Sequence, residues 1–222
     1  MKHVKTKRLS MYPMSIEEMN ELIDNTKDSF LKEKYTGIRD KTIDNTNEYK
    51  WNSAWKICTK EEGTLIGEFH FSGLNNNTTQ MGYQIFEKYW GQGYTQEVLS
   101  AMVDFALSQD EVYFIEMEVY ANDEYGINAM AKLKFKEVAR KDNRILYVLE
   151  KPKSRLLIIF ASIGLCVGLA IGISLNYIAI GAGVGLCLGA LIGATIDKND
   201  EDKRKECQEA RIKQGQEEDN NE

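Results

Sequence analysis

The chain has 222 residues, which is enough for one domain of ordinary size and an additional segment. Its 28 Lys and Arg against 34 Asp and Glu give a formal charge of −6. Because basic residues do not outnumber acidic ones, the composition argues against nucleic acid as the main binding partner. The two histidines lie far apart and the four cysteines form no CxxC pair, so the sequence predicts free thiols and no metal site.

The first elements follow from local patterns near the N-terminus. The basic start is not followed by an apolar run of signal-peptide length, so we expect this part of the chain in the cytoplasm. Residues 6–14 have the pattern of a strand. Ser15 and Glu18 then form a capping box, which predicts a helix to about Asn25. Residues 26–50 are polar with scattered aromatics, and no pattern there fixes helix or loop.

Residues 51–59 and 64–71 are two strand candidates in a hairpin, because a short segment ending in glycine joins them. In the second strand Glu68 and His70 share one face. The ordinary interpretation of that face is that it meets solvent. Residues 73–79 are expected to form a loop with three asparagines at its tip.

The most informative stretch is a strand, a glycine turn and a helix in succession. A strand-like run covers residues 81–86, Gly91-Gln92-Gly93 follows, and an apolar helical pattern extends to Leu107. Glycine lets a main chain approach an anion, and the first turn of a helix leaves N–H groups that favour negative charge. The pattern is typical of a phosphate-binding turn, although a turn without a ligand has it too. A dinucleotide-binding loop fits less well because its third glycine is missing.

The remaining elements of this part alternate in type. Residues 112–120 have the pattern of a strand with two faces, residues 123–134 that of a helix, and residues 135–139 and 144–149 those of a last pair of strands. This order predicts an α+β fold with a mixed, mostly antiparallel sheet and helices on both faces. The helix 94–108 would be a right-handed crossover between two parallel strands.

Three segments resemble one known family. The run from Tyr89 to Leu99 resembles the pyrophosphate loop of the GNAT acetyltransferases, and most of all the branch that includes the ribosomal-protein N-terminal acetyltransferases. Residues 6–15 and 122–135 resemble two further patterns of that branch, so the resemblance covers roughly residues 4–151. It departs from the family at Thr95, Gly126 and Lys134, which usually hold small residues or serine. The spacing from Asn122 to Phe135 is also one residue longer than usual.

The resemblance implies a GNAT acyl-CoA N-acyltransferase fold for residues 1–151. It also implies direct transfer of an acetyl group from acetyl-CoA to a primary amine, which would be a protein N-terminus or a small amine. The end of the central strand would offer main-chain N–H groups to the pantetheine arm and thioester, and the glycine loop would bind the pyrophosphate. The expected cofactor-binding residues are Gln84, Ile85, Phe86, Gly91, Gln92, Gly93, Tyr94, Thr95 and Asn122.

The resemblance also suggests which side chains would carry the chemistry. We expect Glu68 to be the general base, with Glu116 as the second candidate. Tyr125 could donate a proton to the leaving thiolate, although an aromatic that packs on the sheet is an equal alternative. Members of this branch often carry Glu just before Gly-Tyr, whereas this chain has Gln80 one residue away, so a water chain could serve instead.

The C-terminal part contains two uncharged apolar runs, residues 156–175 and 178–196, separated by Asn176-Tyr177. Each is long enough to cross the ~30 Å hydrocarbon core as a helix. Their glycines recur once per turn, which predicts a glycine zipper, a pattern that lets helices approach closely in lipid. Residues 152–198 are thus expected to be a transmembrane hairpin in the cell membrane. A soluble buried hairpin and a re-entrant segment are the alternatives.

Flanking charges predict the orientation of this hairpin. Basic residues precede and follow it and the turn has none, so the N-terminal domain and the charged tail, residues 199–222, would both be cytoplasmic. We expect that tail to be disordered or loosely helical. Two alternatives to a membrane-tethered enzyme stay open. One is a catalytically weak acyl-CoA-binding module, and the other is a membrane scaffold whose zipper drives assembly into a homo-oligomer.

Overall fold

The computed structural model describes residues 3–44 and 50–220, and the chain divides into two compact units, Met1–Lys151 and Pro152–Glu222. The strands of the first unit are β1 (Val4–Lys5), β2 (Leu9–Pro13), β3 (Asn52–Thr59), β4 (Leu65–Asn75), β5 (Thr78–Ile85), β6 (Phe114–Tyr120), β7 (Lys136–Lys141) and β8 (Arg144–Glu150). Its helices are α1 (Ile16–Asn25), α2 (Ser29–Asp44), α3 (Tyr94–Leu107) and α4 (Glu124–Lys132). The second unit contains α5 (Leu156–Ser174) and α6 (Ile178–Asn220).

The strands form one mixed sheet in the order β1-β2-β3-β4-β5-β6-β8-β7. Only the β5–β6 pair is parallel in the described part of the chain, and α3 connects these two strands. The predicted α+β fold, with its mixed and mostly antiparallel sheet, is therefore confirmed. The capping box that opens α1 is confirmed as well, because Ser15 accepts from the Glu18 N–H while Glu18 accepts from the Ser15 N–H.

Helices cover both faces of the sheet. Trp55 belongs to the main core, which contains apolar residues of α3 and α4, whereas the adjacent Ala54 packs with Met19, Tyr35 and Ile38 of α1 and α2. Successive residues of a strand point to opposite faces, so these two clusters lie on opposite sides of the sheet. The polar region after α1, where the sequence pattern predicts neither helix nor loop, is thus largely helical and covers one face of the sheet. Residues 45–49 of it lie outside the described part of the chain.

Two expectations about β4 were wrong. Residues 73–79 do not form a loop, because β4 and β5 pair through Leu74↔Thr79 and Asn75↔Thr78 and only Asn76 and Asn77 form the turn. Both turn residues have positive φ, 46° and 60°, which asparagine tolerates and two-residue hairpins favour. The face that carries Glu68 and His70 does not meet solvent either, since α2 covers it and the two residues are 2% and 1% exposed.

The second unit is a helical hairpin. The N–H of Tyr177 bonds to the carbonyl of Gly172 and that of Asn176 to Ile173, while Asn176 has φ of 60°, which is a Schellman motif at the end of α5. At the opposite end the carboxylate of Asp197 accepts hydrogen bonds from the first N–H groups of α5, at Leu156 and Leu157. The charged segment 199–222, expected to be disordered or loosely helical, continues α6 as helix to Asn220.

The two helices of the hairpin approach most closely at their glycines. A Cβ placed on Gly168 would lie 2.1 Å from the carbonyl oxygen of Gly181, and one on Gly185 would lie 2.2 Å from that of Gly164. Side chains larger than hydrogen are therefore excluded at this contact. Both α5 and the first part of α6 are long and apolar enough to cross a membrane, by length and composition.

Candidate active site

A cleft opens where the two parallel strands of the sheet separate. The β5–β6 ladder ends at Met81↔Met117, although β5 continues to Ile85 and β6 to Tyr120. The cleft between the separated ends has a volume of about 580 Å³. Residues of α2, β4, β5, the α3 N-terminus, β6 and the start of α4 line it. One end of the cleft thus lies at the last β5–β6 pair, and it also reaches the glycine turn that precedes α3.

The structure has a glycine turn directly before α3, where the sequence predicts one. Gly91 and Gly93 have φ of 72° and 77°, in the left-handed region that glycine enters without strain. Gly93 is the N-cap of α3, and as a glycine it caps the helix without a side chain, which leaves first-turn N–H groups at Tyr94 and Thr95 available to a ligand. Thr95 itself lines the cleft. This geometry suits a diphosphate group.

A group of polar contacts holds the glycine turn against the first strands. The Arg8 guanidinium donates to the carbonyl of Gln92 at 3.0 Å and to the carboxylate of Glu97 at 2.7 Å. Thr6 donates to the same carboxylate at 2.5 Å. Burial opposes the charge of Glu97, but the hydrogen bonds from Thr6 and Arg8 outweigh it and hold the pKa of that carboxyl below its usual value. The sequence motif around Arg8 therefore positions the turn, a role that the pattern alone did not reveal.

The end of β5 offers fewer main-chain donors to the cleft than the sequence suggested. The N–H of Phe86 donates to the carbonyl of Ile66 on β4, so Phe86 cannot present it to a ligand. Successive residues of a strand direct their N–H groups to opposite sides, so the N–H of Gln84 points to β4, as that of Phe86 does. The N–H of Ile85, between them, points to the cleft. The carbonyl of Ile85 accepts from the Trp90 indole at 2.7 Å. Of the three predicted residues, Ile85 is the one whose N–H faces the cleft.

The opposite wall of the cleft comes from the start of α4. Asn122 and Tyr125 both line it, and the Tyr125 hydroxyl would lie 3.3 Å from a Cβ at Gly91, so it sits against the glycine turn. Asp123 caps α4 by accepting from the Gly126 N–H, and it also accepts from the Tyr83 hydroxyl at 2.6 Å. Burial, followed by the charge of Asp123, raises the pKa of Tyr83 well above its usual value. Tyr83 therefore stays protonated as the donor in this contact.

The predicted bases occupy different places. Glu68 is buried and does not line the cleft; its carboxylate accepts from the Tyr35 hydroxyl at 2.5 Å and lies 3.1 Å from Nδ1 of His70. His70 does line the cleft. The strand pattern predicts that His70 shares the face of Glu68 but indicates no role for it. In the structure His70 pairs with Gly82 of β5, a relationship that no local sequence pattern shows.

The second predicted base, Glu116, lines a neighbouring cavity of about 410 Å³ on the α2 side of the sheet. Two buried polar atoms of that cavity, Oδ1 of Asn52 and Oγ of Ser72, have no hydrogen-bond partner within the described residues. Phe30, Lys34 and Glu118 line both cavities, which are therefore neighbours. The described residues contain no cluster of metal-binding side chains.

Comparison with known proteins agrees with this geometry. A family of acetyltransferase (GNAT) domains matches residues 5–136. A curated relative, an uncharacterized N-acetyltransferase p20 from Bacillus licheniformis, is 24% identical over 108 residues, which cover 48% of this chain and 58% of that protein. The match thus spans less than two thirds of this relative's length.

Two solved structures have the same fold. A ribosomal-protein-S5-alanine acetyltransferase from Vibrio fischeri aligns with a TM-score of 0.54 at 14% identity, over 68% of this chain and 97% of that one. A ribosomal L7/L12 alpha-N-protein acetyltransferase, solved in complex with coenzyme A, aligns with a TM-score of 0.52 at 11% identity, over 67% and 98%. With a family match across most of the first unit, the chain belongs to the GNAT acetyltransferase family.

Proposed function

We propose that this protein is an N-acetyltransferase that transfers the acetyl group of acetyl-CoA directly to a primary amine. One observation carries the proposal: the cleft between the separated ends of β5 and β6 leads to a helix N-terminus whose glycine cap leaves its N–H groups to an anion. A coenzyme A thioester has a diphosphate for that helix end and a narrow pantetheine arm for the cleft. The fold shared with a structure that contains coenzyme A supports this orientation.

In this arrangement the chain's own residues position the two substrates. Gly91, Gln92, Gly93, Tyr94 and Thr95 would bind the diphosphate through main-chain N–H groups, and Ile85 and Asn122 would hold the pantetheine arm. The amine would approach from the α2 side through the cavity that contains Glu116. Catalysis would then rest on orientation and on main-chain electrostatics around the developing oxyanion.

The test is acetyl-CoA binding by the full-length protein in detergent, measured by calorimetry, with a thiol assay for turnover. Gly91→Ala should abolish binding, because the turn needs φ of 72° at the diphosphate site. Gly63→Ala is a matched control, since Gly63 has φ of 66° in the β3–β4 turn and an added Cβ meets nothing within 4 Å. The proposal would be contradicted if both variants lowered acetyl-CoA binding equally, or if the wild-type protein did not bind acetyl-CoA.

Turnover is tested with a panel of amines: peptides that begin with alanine or serine, spermidine and an aminoglycoside. Release of coenzyme A with any of them supports an N-acetyltransferase. Binding of acetyl-CoA without turnover across the panel would favour the alternative of an acyl-CoA-binding module.

We further propose that the C-terminal hairpin tethers the enzyme to a membrane. Large apolar side chains on both helices are more than half exposed, for example Val167 at 54% and Leu191 at 64%, which suits lipid better than water. Basic residues flank the hairpin at both ends, so the acetyltransferase domain and the tail would lie on the cytoplasmic side, where acetyl-CoA is available. The full-length protein should stay in the membrane fraction after alkaline carbonate extraction. Release by carbonate would contradict the tether.

The glycines of the hairpin support a glycine zipper that packs the two spans against each other. The two helices of one chain approach each other closely at Gly164–Gly185 and at Gly168–Gly181, where neither residue has a side chain. Crosslinking of the full-length protein in liposomes distinguishes this from the alternative of a scaffold. A monomer fits an intramolecular zipper, whereas a defined oligomer would favour assembly through these helices.

A further inference from the structure

A buried chain of three side chains lies beside the cleft. The Tyr35 hydroxyl of α2 donates to Oε1 of Glu68, and Oε2 of Glu68 lies 3.1 Å from Nδ1 of His70. Tyr35, Glu68 and His70 are 0%, 2% and 1% exposed. A buried carboxylate is costly unless donors satisfy it, so this group is built as a unit rather than left over from packing.

Beside an ionised carboxylate, only one tautomer of a neutral imidazole can form this hydrogen bond. An ionised carboxylate only accepts, so a neutral His70 bonds to Glu68 through an Nδ1–H and leaves the lone pair on Nε2. Burial and the adjacent carboxylate raise the pKa of Tyr35 well above its usual value, so the phenol remains a donor at its end of the chain. Nε2 of His70 has no hydrogen-bond partner within the described residues, which is unusual for a buried polar atom.

The imidazole lies at the point where the cleft begins. A Cβ on Gly82 would be 2.4 Å from Nε2, so the ring packs directly over the main chain of β5. Gly82 is the next residue after Met81, the last residue of β5 that pairs with β6. His70 also lines the cleft. The unpartnered nitrogen is thus held at the junction of the two separated strands, and Gly82 is required for its position.

We propose that His70 is the general base of the acetyl transfer and that Glu68 and Tyr35 are positioning residues that hold it in the basic tautomer. This proposal rests on the proposed function. The ammonium of the acceptor gives one proton to Nε2, either directly or through one water, and the charge of Glu68 stabilises the imidazolium. Glu68, which the sequence suggested as the base, acts through His70.

Acetyl transfer follows this deprotonation. The freed amine nitrogen attacks the thioester carbonyl carbon and forms the C–N bond, and the negative charge moves to the carbonyl oxygen. Collapse breaks the C–S bond, and the proton that the nitrogen still has to lose goes to the thiolate, which leaves as coenzyme A. His70 returns its proton to solvent. Amide, thiol and one proton are the products of one ammonium and one thioester.

Other charged and titratable groups surround the imidazole and share its environment. Glu68 on its own strand and Tyr35 on α2 contact it directly. The cleft also contains, from the other elements, Lys34, Tyr83, Glu118, Tyr120, Asp123, Glu124, Tyr125 and Arg144. Any pH profile of the reaction includes these groups, so the decisive measurement is the protonation state of the ring itself.

That measurement is nuclear magnetic resonance of the full-length protein in detergent, labelled with ¹⁵N at histidine. The chain has only two histidines, and His3→Gln assigns the spectrum. At neutral pH His70 should show a protonated Nδ1 and a bare Nε2. Glu68→Gln should shift the ring toward the opposite tautomer, because an amide can donate to Nδ1. A wild-type ring that is protonated at Nε2 would overturn the proposal, whatever the turnover.

The second test is kinetic, and its acceptor is the panel amine that gives the highest turnover. His70→Gln should lower kcat/KM about 100-fold or more, with the acetyl-CoA Kd unchanged. Glu68→Gln should lower kcat and change the tautomer while the Tm stays close to that of the wild type, and His3→Gln should have no effect. A His70→Gln protein that binds acetyl-CoA and retains wild-type turnover would refute the role of His70 and leave the proposed function intact.

The two proposals can fail separately. If the wild-type protein binds acetyl-CoA but acetylates no amine of the panel, the proposed function fails. The tautomer measurement still decides whether His70 presents a basic nitrogen to the cleft.

Discussion

The Tyr83 hydroxyl occupies the space that a side chain at Gly126 would need. A Cβ on Gly126 would lie 2.4 Å from the Tyr83 oxygen, 2.5 Å from Oδ2 of Asp123 and 2.8 Å from a methyl carbon of Val119. The sequence had marked Gly126 as a departure from the family pattern, where serine is usual. The structure explains the departure, because the hydroxyl of Tyr83 reaches Asp123 across this position.

Replacing Gly126 by serine should therefore reduce both stability and cofactor binding. We expect Gly126→Ser to lower the free energy of unfolding by about 1–3 kcal/mol through overcrowding, and to weaken acetyl-CoA binding because the start of α4 lines the cleft. Urea unfolding and calorimetry measure the two effects. Adding Tyr83→Phe should recover part of the loss. Gly37→Ala is the control: an added Cβ meets nothing within 4 Å there, and this variant should be as stable as the wild type or more stable.

Lys134 occupies the second position at which the family pattern differs. It has φ of 65°, a left-handed conformation that costs a non-glycine residue about 1–2 kcal/mol. Glycine there would remove this strain but lose about 0.5–1 kcal/mol to the entropy of the unfolded chain. Lys134→Gly should thus stabilise the protein by roughly 0.5–1 kcal/mol. Lys132→Gly, two residues earlier at the last position of α4, should destabilise it by up to about 1 kcal/mol. Similar losses in both variants would contradict the assigned strain.

Arg8 should matter for cofactor binding more than for folding. Its guanidinium bonds to the Gln92 carbonyl inside the glycine turn, and a side chain half in solvent contributes little to stability. We expect Arg8→Ala to raise the acetyl-CoA Kd about 10-fold, equivalent to one lost charged hydrogen bond, with a small change in Tm. Arg39→Ala, which removes a surface arginine paired with Asp40, is the control and should leave the Kd unchanged.

The hydrogen bonds that the Glu97 carboxylate accepts predict a pH dependence of stability. Hydrogen bonds from Thr6 and Arg8 outweigh the effect of burial and lower the pKa of Glu97 in the folded protein, so its stabilising contribution is present above the usual value of 4.5. It is lost as the pH falls through the lowered folded value. Urea unfolding at a series of acidic pH values should show this loss in the wild type, and Glu97→Gln should reduce the slope. An unchanged slope would show that Glu97 does not contribute.

Two glycines of α6, Gly185 and Gly183, form a matched pair for substitution. A Cβ on Gly185 would lie 2.2 Å from the Gly164 carbonyl oxygen, whereas one on Gly183 meets nothing within 4 Å. Gly185→Ile should separate α5 from α6 and lower the thermal stability of the hairpin in detergent, and Gly183→Ile should not. Circular dichroism on heating measures both. If the two variants behave alike, the close approach at Gly185 does not hold the hairpin together.

Local patterns determined much of this protein. The capping box at Ser15, the left-handed glycines before α3 and the two apolar helices depend on residues that are close in sequence, and the structure has all of them. The short β4–β5 turn differs from the predicted loop of residues 73–79. Asn76 and Asn77 adopt the positive φ that a two-residue hairpin needs, so the two strands extend up to them.

The site depended on contacts between residues far apart in sequence. No local pattern shows that Arg8 reaches the turn at Gln92, or that the N–H of Phe86 is already bonded to Ile66. Glu68 looked like a solvated residue of an antiparallel strand until α2 was seen to cover that face and supply Tyr35. The sequence by itself determined the family, the order of the elements and the glycine turn, because each is encoded in neighbouring residues. Only the tertiary structure decided which polar groups are already paired and which, such as Nε2 of His70, have no partner among the described residues, because pairing depends on the packing of distant segments.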